Sequence, residues 1–389
     1  MKTFCSLAIG VVFASAALAQ SSDRPKQSIG AAANSFAFQI IGKTATSSDE
    51  NYLLSPFSVS CALSLLIPGT KGGEQNKLLS IIAPGFSAQH AMFGYGALSN
   101  QMVKSRQLSV ANSAWADNRM KLSSGYAKAI KGPLGAQVSS FQHNQGSLKK
   151  INSWVSAKTK QRIPKILDQI KDADRLFLIN AIAFDGKWQE QFDPARTAQQ
   201  TFHAAGGRDE QVQMMHMKRK VAYFKNGTLR SIRLNYQGGE YSMLLMLPEF
   251  NDDVAETFRG LNAKSLDKIL SGASSSDSVN IALPKFKFSD SFQLKDALSA
   301  VGLGSFFNHA DFSKISPSLA DGKIDRVIHK TFVELDEKGT KAAAATSIGI
   351  QPTMVRVDQP EFIADKPFAF YILHNKTKII VFAGVVNKV

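Results

Sequence analysis

Seven histidines and two cysteines are the side chains best suited to acid–base, nucleophilic or metal chemistry, and their spacing offers little of it. No two histidines fall at metal-binding intervals, and the H-E-x-x-H helix signature is absent. Neither a G-x-S-x-G nucleophile elbow nor a G-x-x-x-x-G-K-[ST] phosphate loop occurs. Met214-Met215-His216-Met217 groups soft ligands, but it reads more simply as a strand edge. A Ser-His-Asp triad drawn from distant positions would leave no local motif. His329 is the best single candidate, entering a β-branched stretch after Asp325-Arg326-Val327-Ile328, where a core histidine needs hydrogen-bond partners. No pattern supports catalysis, and no cofactor or metal site is expected.

The stretch with chemical consequence is one on which another protein would act. From Val333 to Pro360 the chain reads VELDEKGTKAAAATSIGIQPTMVRVDQP. Thr331 to Leu335 is alternating and β-branched, hence a strand. Acidic Glu334, Asp336 and Glu337 surround its end, and Gly339 opens a run of small residues. With no long apolar side chain between Lys338 and Ser347, the run has nothing to anchor it in a core. A loop this long within a compact domain is usually functional or disordered. Yet alternate positions Thr340, Ala342, Ala344, Thr346, Ile348 and Ile350 are small, then apolar, while the other register carries Lys341, Ser347 and Gln351. Successive strand side chains face opposite ways, so the loop could also become a buried strand. Burying Ile348 and Ile350 would contribute about 1.5–3 kcal/mol each.

The residues Glu337-Lys338-Gly339-Thr340-Lys341-Ala342-Ala343-Ala344-Ala345-Thr346 resemble the reactive-loop hinge of an inhibitory serpin. Serpin loop insertion is a known instance of strand addition and of released strain. The plain alternative is an Ala-rich linker or short helix, Ala being the best helix former. The likeness extends over the rest of the chain. Asn180-Ala181-x-x-Phe184-x-Gly186-x-Trp188, followed by Phe192, Thr197 and Phe202, matches the family in order, as do Asn280 to Phe288 and the terminal runs FAFYIL and IIVFAGVV. Gly69 to Glu74 departs from the family pattern, which has a small residue at Thr70 and a capping Thr at Glu74.

The resemblance implies an α+β serpin fold: three β-sheets, about nine helices and an exposed reactive-centre loop over about 337–360, in one metastable domain spanning 20–389. Ser55, Ser58, Asn180 and His329 map to the polar shutter beneath the point where the main sheet opens. Lys285 and Glu337 map to an ion pair beside Trp188 at the breach, where the loop enters. The implied partner is an extracellular serine protease, which attacks the loop, forms an acyl-enzyme and is trapped covalently as the cut loop inserts. In the family the attacked residue lies seventeen places from the acidic residue before the hinge, inclusive. Counted from Glu337, this is Thr353, and the bond is Thr353–Met354. A small Thr suits an elastase-like pocket; attack after Met354 would suit elastase- or chymotrypsin-like enzymes. Arg356 would suit trypsin-like enzymes, with a loop three residues longer. A non-inhibitory carrier, chaperone or storage protein of the same fold is the other reading. Bulky, charged or proline residues on the inward hinge register would favour it, and none occurs.

The elements that must position these residues are legible in outline. Met1 to Ala19 reads as a secretory leader: Lys2, an apolar core, and an Ala17-Leu18-Ala19 cleavage site. The expected product is a soluble, secreted, monomeric protein. No later run of about 18 apolar residues could span a membrane. Of the two cysteines, Cys5 leaves with the leader, so Cys61 has no disulfide partner and core packing must carry stability. A hydrophobic content of 44% supports an ordered globule. The amphipathic pattern predicts a helix over Ser28–Lys43, and Ser55-Pro56 caps a buried helix running to about Ile67. A strand is expected at Leu108–Asn112, a helix around Ile151–Ile163, interior strands at Leu176–Phe184 and Tyr241–Leu247, and one alternating strand at Asn280–Phe288.

The net charge of +15 is spread out, with concentrations at Lys149-Lys150, at Lys158-Lys160-Arg162-Lys165, and at Lys218-Arg219-Lys220. Such surfaces could hold a sulfated glycosaminoglycan or simply be solvated. No nucleic-acid motif accompanies them. Asn226-Gly227-Thr228 and Asn375-Lys376-Thr377 are N-glycosylation acceptors.

Overall fold

Every residue of the Leu176–Phe184 strand is buried, as its unbroken apolar run predicts. It forms the middle of a five-stranded sheet in the order Phe286–Gln293, Arg326–Leu335, Leu176–Phe184, Leu108–Asp117, Gln137–Phe141. The computed structural model describes residues 27–45, 49–249, 253–275, 278–339 and 359–389. Among them are nine α-helices and three sheets, of seven, four and five strands. The leader, the hinge residues Thr340, Ala342, Ala343, Ala344, Ala345 and Thr346, and the bond candidates Thr353, Met354 and Arg356 lie outside the described residues. No helix among the described residues is long and apolar enough to cross a membrane.

The pairing inside the central sheet matters most. Arg326–Leu335 runs parallel to Leu176–Phe184, from Arg326 opposite Phe177 to Phe332 opposite Ala183. Leu108–Asp117 runs antiparallel on the other side. Behind the sheet lies Pro56–Ser64, buried on all nine residues, with Ser55 capping it by accepting from the Ser58 N–H. This helix ends at Ser64, short of the expected Ile67, and Ile67–Gly69 forms a separate 3-10 turn. Pro68 stands inside that turn and cannot donate to an α-helical ladder. Where the family cap was expected to be weak, the Gly72–Ile82 helix indeed has no side-chain N-cap. Thr70 is buried, its hydroxyl donating to Leu66 O at 3.0 Å.

The outer face of the sheet is covered by the helix Gln145–Lys158 and the segment after it. Ile151, Val155 and Ile163 form one apolar cluster with Phe177 and Ile179 of one central strand and Ile328 and Phe332 of the other. The cover therefore grips both members of the parallel pair. Arg162–Glu334 at 3.1 Å and the nearly buried Arg326–Asp174 pair at 2.5 Å tie the same segment to the Arg326–Leu335 strand.

One expectation of sheet membership is corrected. Asn280 to Phe288 is two strands in different sheets: Val279–Pro284 pairs with Arg208–Arg219 in the four-stranded sheet, and Phe286–Gln293 joins the central one. The break falls at Lys285, directly after Pro284 and its missing N–H, while the Lys285 N–H goes to Gln213 O at 2.9 Å. Met214 alone is paired on both sides of the Arg208–Arg219 strand; Met215, His216 and Met217 pair only with Val279–Pro284 and so stand at a strand edge, as read. No metal-binding group occurs among the described residues. Cys61 is buried and free, and burial raises its pKa well above the ordinary thiol range.

The seven-stranded sheet supplies the largest apolar layer, and one position shows how tightly it is filled. Gly384 stands opposite Phe370, and a Cβ there would intrude on the fully buried Phe370 ring. Gly384→Ala should lower stability by about 1–3 kcal/mol through overpacking, read as a lower denaturant midpoint; an unchanged midpoint would show that the ring yields freely.

Candidate functional site

Register places a row of polar side chains across the centre of the sheet. Asn112 stands opposite Asn180 on the antiparallel side, and His329 stands opposite Asn180 on the parallel side. Beneath them the first turn of Pro56–Ser64 presents Ser58, with Ser55 at its cap. Asn180 and His329 are fully buried, as are both serines.

The hydrogen bonds form a closed set. Asn180 Nδ2 donates to Ser58 Oγ at 2.5 Å and to Asn112 Oδ1, while Asn180 Oδ1 accepts from His329 Nδ1. His329 Nε2 accepts from the Ser55 N–H at 3.0 Å, and Ser55 Oγ donates to Val381 O at 2.5 Å. These partners define a tautomer protonated at Nδ1, and the ring is neutral. Burial, which desolvates the imidazolium, lowers its pKa to about 3. Thr331, two residues on and facing the same way, donates its hydroxyl to Leu53 O at 2.7 Å. The sequence reading named Ser55, Ser58, Asn180 and His329, which the structure brings together. It missed Asn112 and Thr331; the available signal was a polar residue interrupting each buried strand.

Above this seam the strand ends in a turn. Asp336 Oδ1 accepts from the N–H groups of Lys338 and Gly339, and Gly339 has φ +136°. A Cβ at Gly339 would collide with the backbone of Gly186, Lys187 and Trp188, so the position needs glycine on two counts. Trp188 holds the turn from the side. Its N–H donates to Lys338 O at 2.8 Å and its indole Nε1 donates to Asp336 O at 3.1 Å. The ring stacks on Tyr236 with centroids 4.5 Å apart.

Glu337 closes the group. Lys285 Nζ lies 3.0 Å from Oε2, and Thr197 Oγ1 donates to Oε1 at 2.9 Å. Burial alone would raise the Glu337 pKa; its own N–H, Lys285 and Thr197 together outweigh that and hold it below the ordinary glutamate value. Lys285, Glu337 and Trp188 are thus assembled at one end of the central strands. The glycosylation acceptors differ. Asn226 lies in the turn between Ala222–Lys225 and Leu229–Asn235, whereas Asn375 is engaged at both ends of its amide, Nδ2 donating to Gly239 O at 2.8 Å and Oδ1 accepting from Ser242 Oγ at 2.6 Å. Lys149, Lys150 and Lys158 are exposed on the covering helix, and Lys165 in the segment after it pairs with Asp168 at 2.7 Å.

A central sheet closed by a parallel pair, with a neutral polar row beneath the seam and a clamped turn at its end, is the arrangement that the sequence resemblance implies. The family model for Serpin (serine protease inhibitor) matches residues 31–389, and the chain belongs to the serpin family. Leukocyte elastase inhibitor A of Rattus norvegicus is 32% identical over 351 residues, covering 86% of this chain and 92% of the relative. Among solved structures, the thermophilic serpin tengpin in its native state superposes with TM-score 0.86 at 26% identity, covering 95% of this chain and 96% of the other. Native protease nexin-1 with heparin superposes with TM-score 0.81 at 25% identity, covering 93% and 99%.

The polar row gives the stability a pH dependence. Between about pH 6.5 and 3 an unfolded His329 binds a proton that the folded one refuses, so folding weakens as pH falls through that window, by up to about 1.4 kcal/mol per pH unit. Unfolding midpoints at pH 7 and pH 5 should differ less in His329→Gln than in the parent; equal differences would remove His329 as the source. At the clamp, Glu337→Gln should cost about 1 kcal/mol, and Lys285→Met should add little more in the double variant, measured as a double-mutant cycle.

Proposed function

We propose that the protein is a secreted suicide-substrate inhibitor of serine proteases. The parallel pair carries this reading. Chain leaving the end of Arg326–Leu335 and folding back between it and Leu176–Phe184 would run antiparallel to both. It could then form an antiparallel ladder on each side, slightly stronger per residue than the parallel one it replaces. The polar row beneath the seam is made of small neutral groups that can exchange partners as the strands separate. In sequence, the leading residues Thr340, Ala342, Ala344 are slim enough to enter, with Ile348 and Ile350 following.

In this mechanism a protease serine attacks the carbonyl carbon of Thr353, the peptide bond to Met354 breaks, and the Met354 amine leaves. The acyl-enzyme remains tethered to the inserting segment and is carried away from its own catalytic geometry before water can attack. The small Thr353 and the likeness to a leukocyte elastase inhibitor favour an elastase-like target; Met354 would direct chymotrypsin-like enzymes and Arg356 trypsin-like ones. The Met1–Ala19 leader supports secretion, Asn226 is the better-placed glycan acceptor, and the exposed lysines of the covering helix suit a sulfated glycosaminoglycan, heparin being the ligand in the nexin-1 structure.

Incubation with elastase should give an SDS-stable complex and a released peptide beginning at Met354. Cleaved protein should melt about 4–8 °C above intact protein from the burial of two isoleucines alone, and further above it once the added ladder hydrogen bonds contribute. Two fragments with no covalent complex and no gain in melting temperature would instead identify a non-inhibitory carrier of the same fold.

A further inference from the structure

The covering helix and the segment after it are strongly basic. Over residues 145–172 the chain carries seven Lys or Arg and two Asp, a net charge of +5, and the Gln145–Lys158 helix holds three lysines and no acid. An open groove of about 450 Å³ lies between this helix and the segment. Lys149, Ser153 and Ser156 line it from the helix and Gln161 and Lys165 from the segment, with no acid among the described lining residues. Lys149, Ser153, Gln161 and Lys165 are exposed, so a ligand meets their ammonium, hydroxyl and amide groups directly. Asp168 pairs with Lys165 at 2.7 Å, but both side chains are more than half exposed, and such a pair yields readily to a denser anion. The closing carbonyls of the helix, which would repel an anion, are already bonded to the N–H groups of Thr159, Lys160 and Gln161. No described lining residue is aromatic, so nothing there stacks a nucleic-acid base.

The groove also lies where the cover is held together and held down. Asn152 Nδ2 donates to Leu167 O at 2.9 Å, and its Oδ1 accepts from the N–H groups of Ile166 and Leu167 at 2.8 and 2.9 Å, which fastens helix to segment. Lys165 O in turn accepts from Lys330 Nζ of the Arg326–Leu335 strand at 2.9 Å. We propose that a sulfated glycosaminoglycan binds along this groove and acts as a brake: spanning Lys149 and Lys165, it joins helix and segment from outside and holds the cover over the parallel pair. The apolar cluster under the cover grips both strands of that pair, so they part only if the cover shifts. A ligand that binds the seated cover more tightly than the shifted one raises the free energy needed to shift it. The brake rests on the inhibitor reading; binding in the groove does not.

The test uses intact protein and no protease. A heparin octasaccharide should bind about tenfold or more tightly than a hyaluronan octasaccharide, which carries carboxylates but no sulfate. Lys149→Gln combined with Lys165→Gln should weaken the heparin fragment about tenfold and lower the slope of log Kd against log salt by about 2, through the loss of two counterion-releasing contacts. Lys218→Gln combined with Lys220→Gln, in the other basic concentration, should change neither. Equal weakening by the two pairs, or tighter binding of an oligothymidylate of equal charge, would overturn the site. For the brake, a synthetic peptide TKAAAATSIGIQPT, residues 340–353, should enter the seam and raise the melting temperature. With the heparin fragment at about ten times its Kd, entry should slow about tenfold, and at the same concentration the Lys149→Gln, Lys165→Gln protein should slow no more than about twofold. Entry at an unchanged rate with the fragment bound would overturn the brake and leave the inhibitor reading intact; a peptide that never enters would overturn both.

Discussion

Asn180 is the point on which the centre of the molecule depends. Its amide bonds sideways to strands on both flanks and downward to the helix behind the sheet, so one side chain ties together four elements. Apolar packing alone would not fix which strands lie adjacent, because any well-shaped apolar surface can pack against another. A fully satisfied buried polar group does fix it, since separation leaves each donor and acceptor to find a new partner or lose about 1–3 kcal/mol. Yet every member here is neutral. No charge needs to be desolvated or released when the strands part, so the seam is specific without being permanent.

The covering helix acts on the same seam from outside. Its apolar cluster touches both strands of the parallel pair, and its following segment is ion-paired to one of them. The strands cannot separate unless this cover shifts with one of them. At the end of the seam the turn at Gly339 is held through backbone atoms, by Trp188 and Asp336, so little there depends on the identity of side chains other than those two and the glycine. Closure is therefore distributed: polar groups below, apolar groups above and a clamp at the end.

How much of this could be read beforehand follows from what sets each feature. The Ser55-Pro56 start of the buried helix and the run Leu176–Phe184 are local statements of capping and burial, and both stand as read. Lys285, Glu337 and Trp188 are brought together as the family likeness implied, although nothing in their spacing shows it. The alternation points to a strand ending at Asn112, whereas the strand continues to Asp117, because the small polar residues beyond Asn112 blur the pattern. Its partnership with Asn180 depends on register, which only the assembled sheet defines. The change of sheet at Lys285 was illegible for a related reason: the alternation of apolar residues continues through the break, and only the destination of each strand changes.

That change of sheet leaves Lys285 with its backbone in one sheet and its ammonium in another. The main-chain N–H bonds to Gln213, midway along the Arg208–Arg219 strand of the four-stranded sheet, and the side chain reaches Glu337 at the end of the central one. With no intervening loop to absorb displacement, the two sheets are geared at this residue. A rotation of either, as small as the reach of one lysine, is conveyed to the other as tension on a single ion pair.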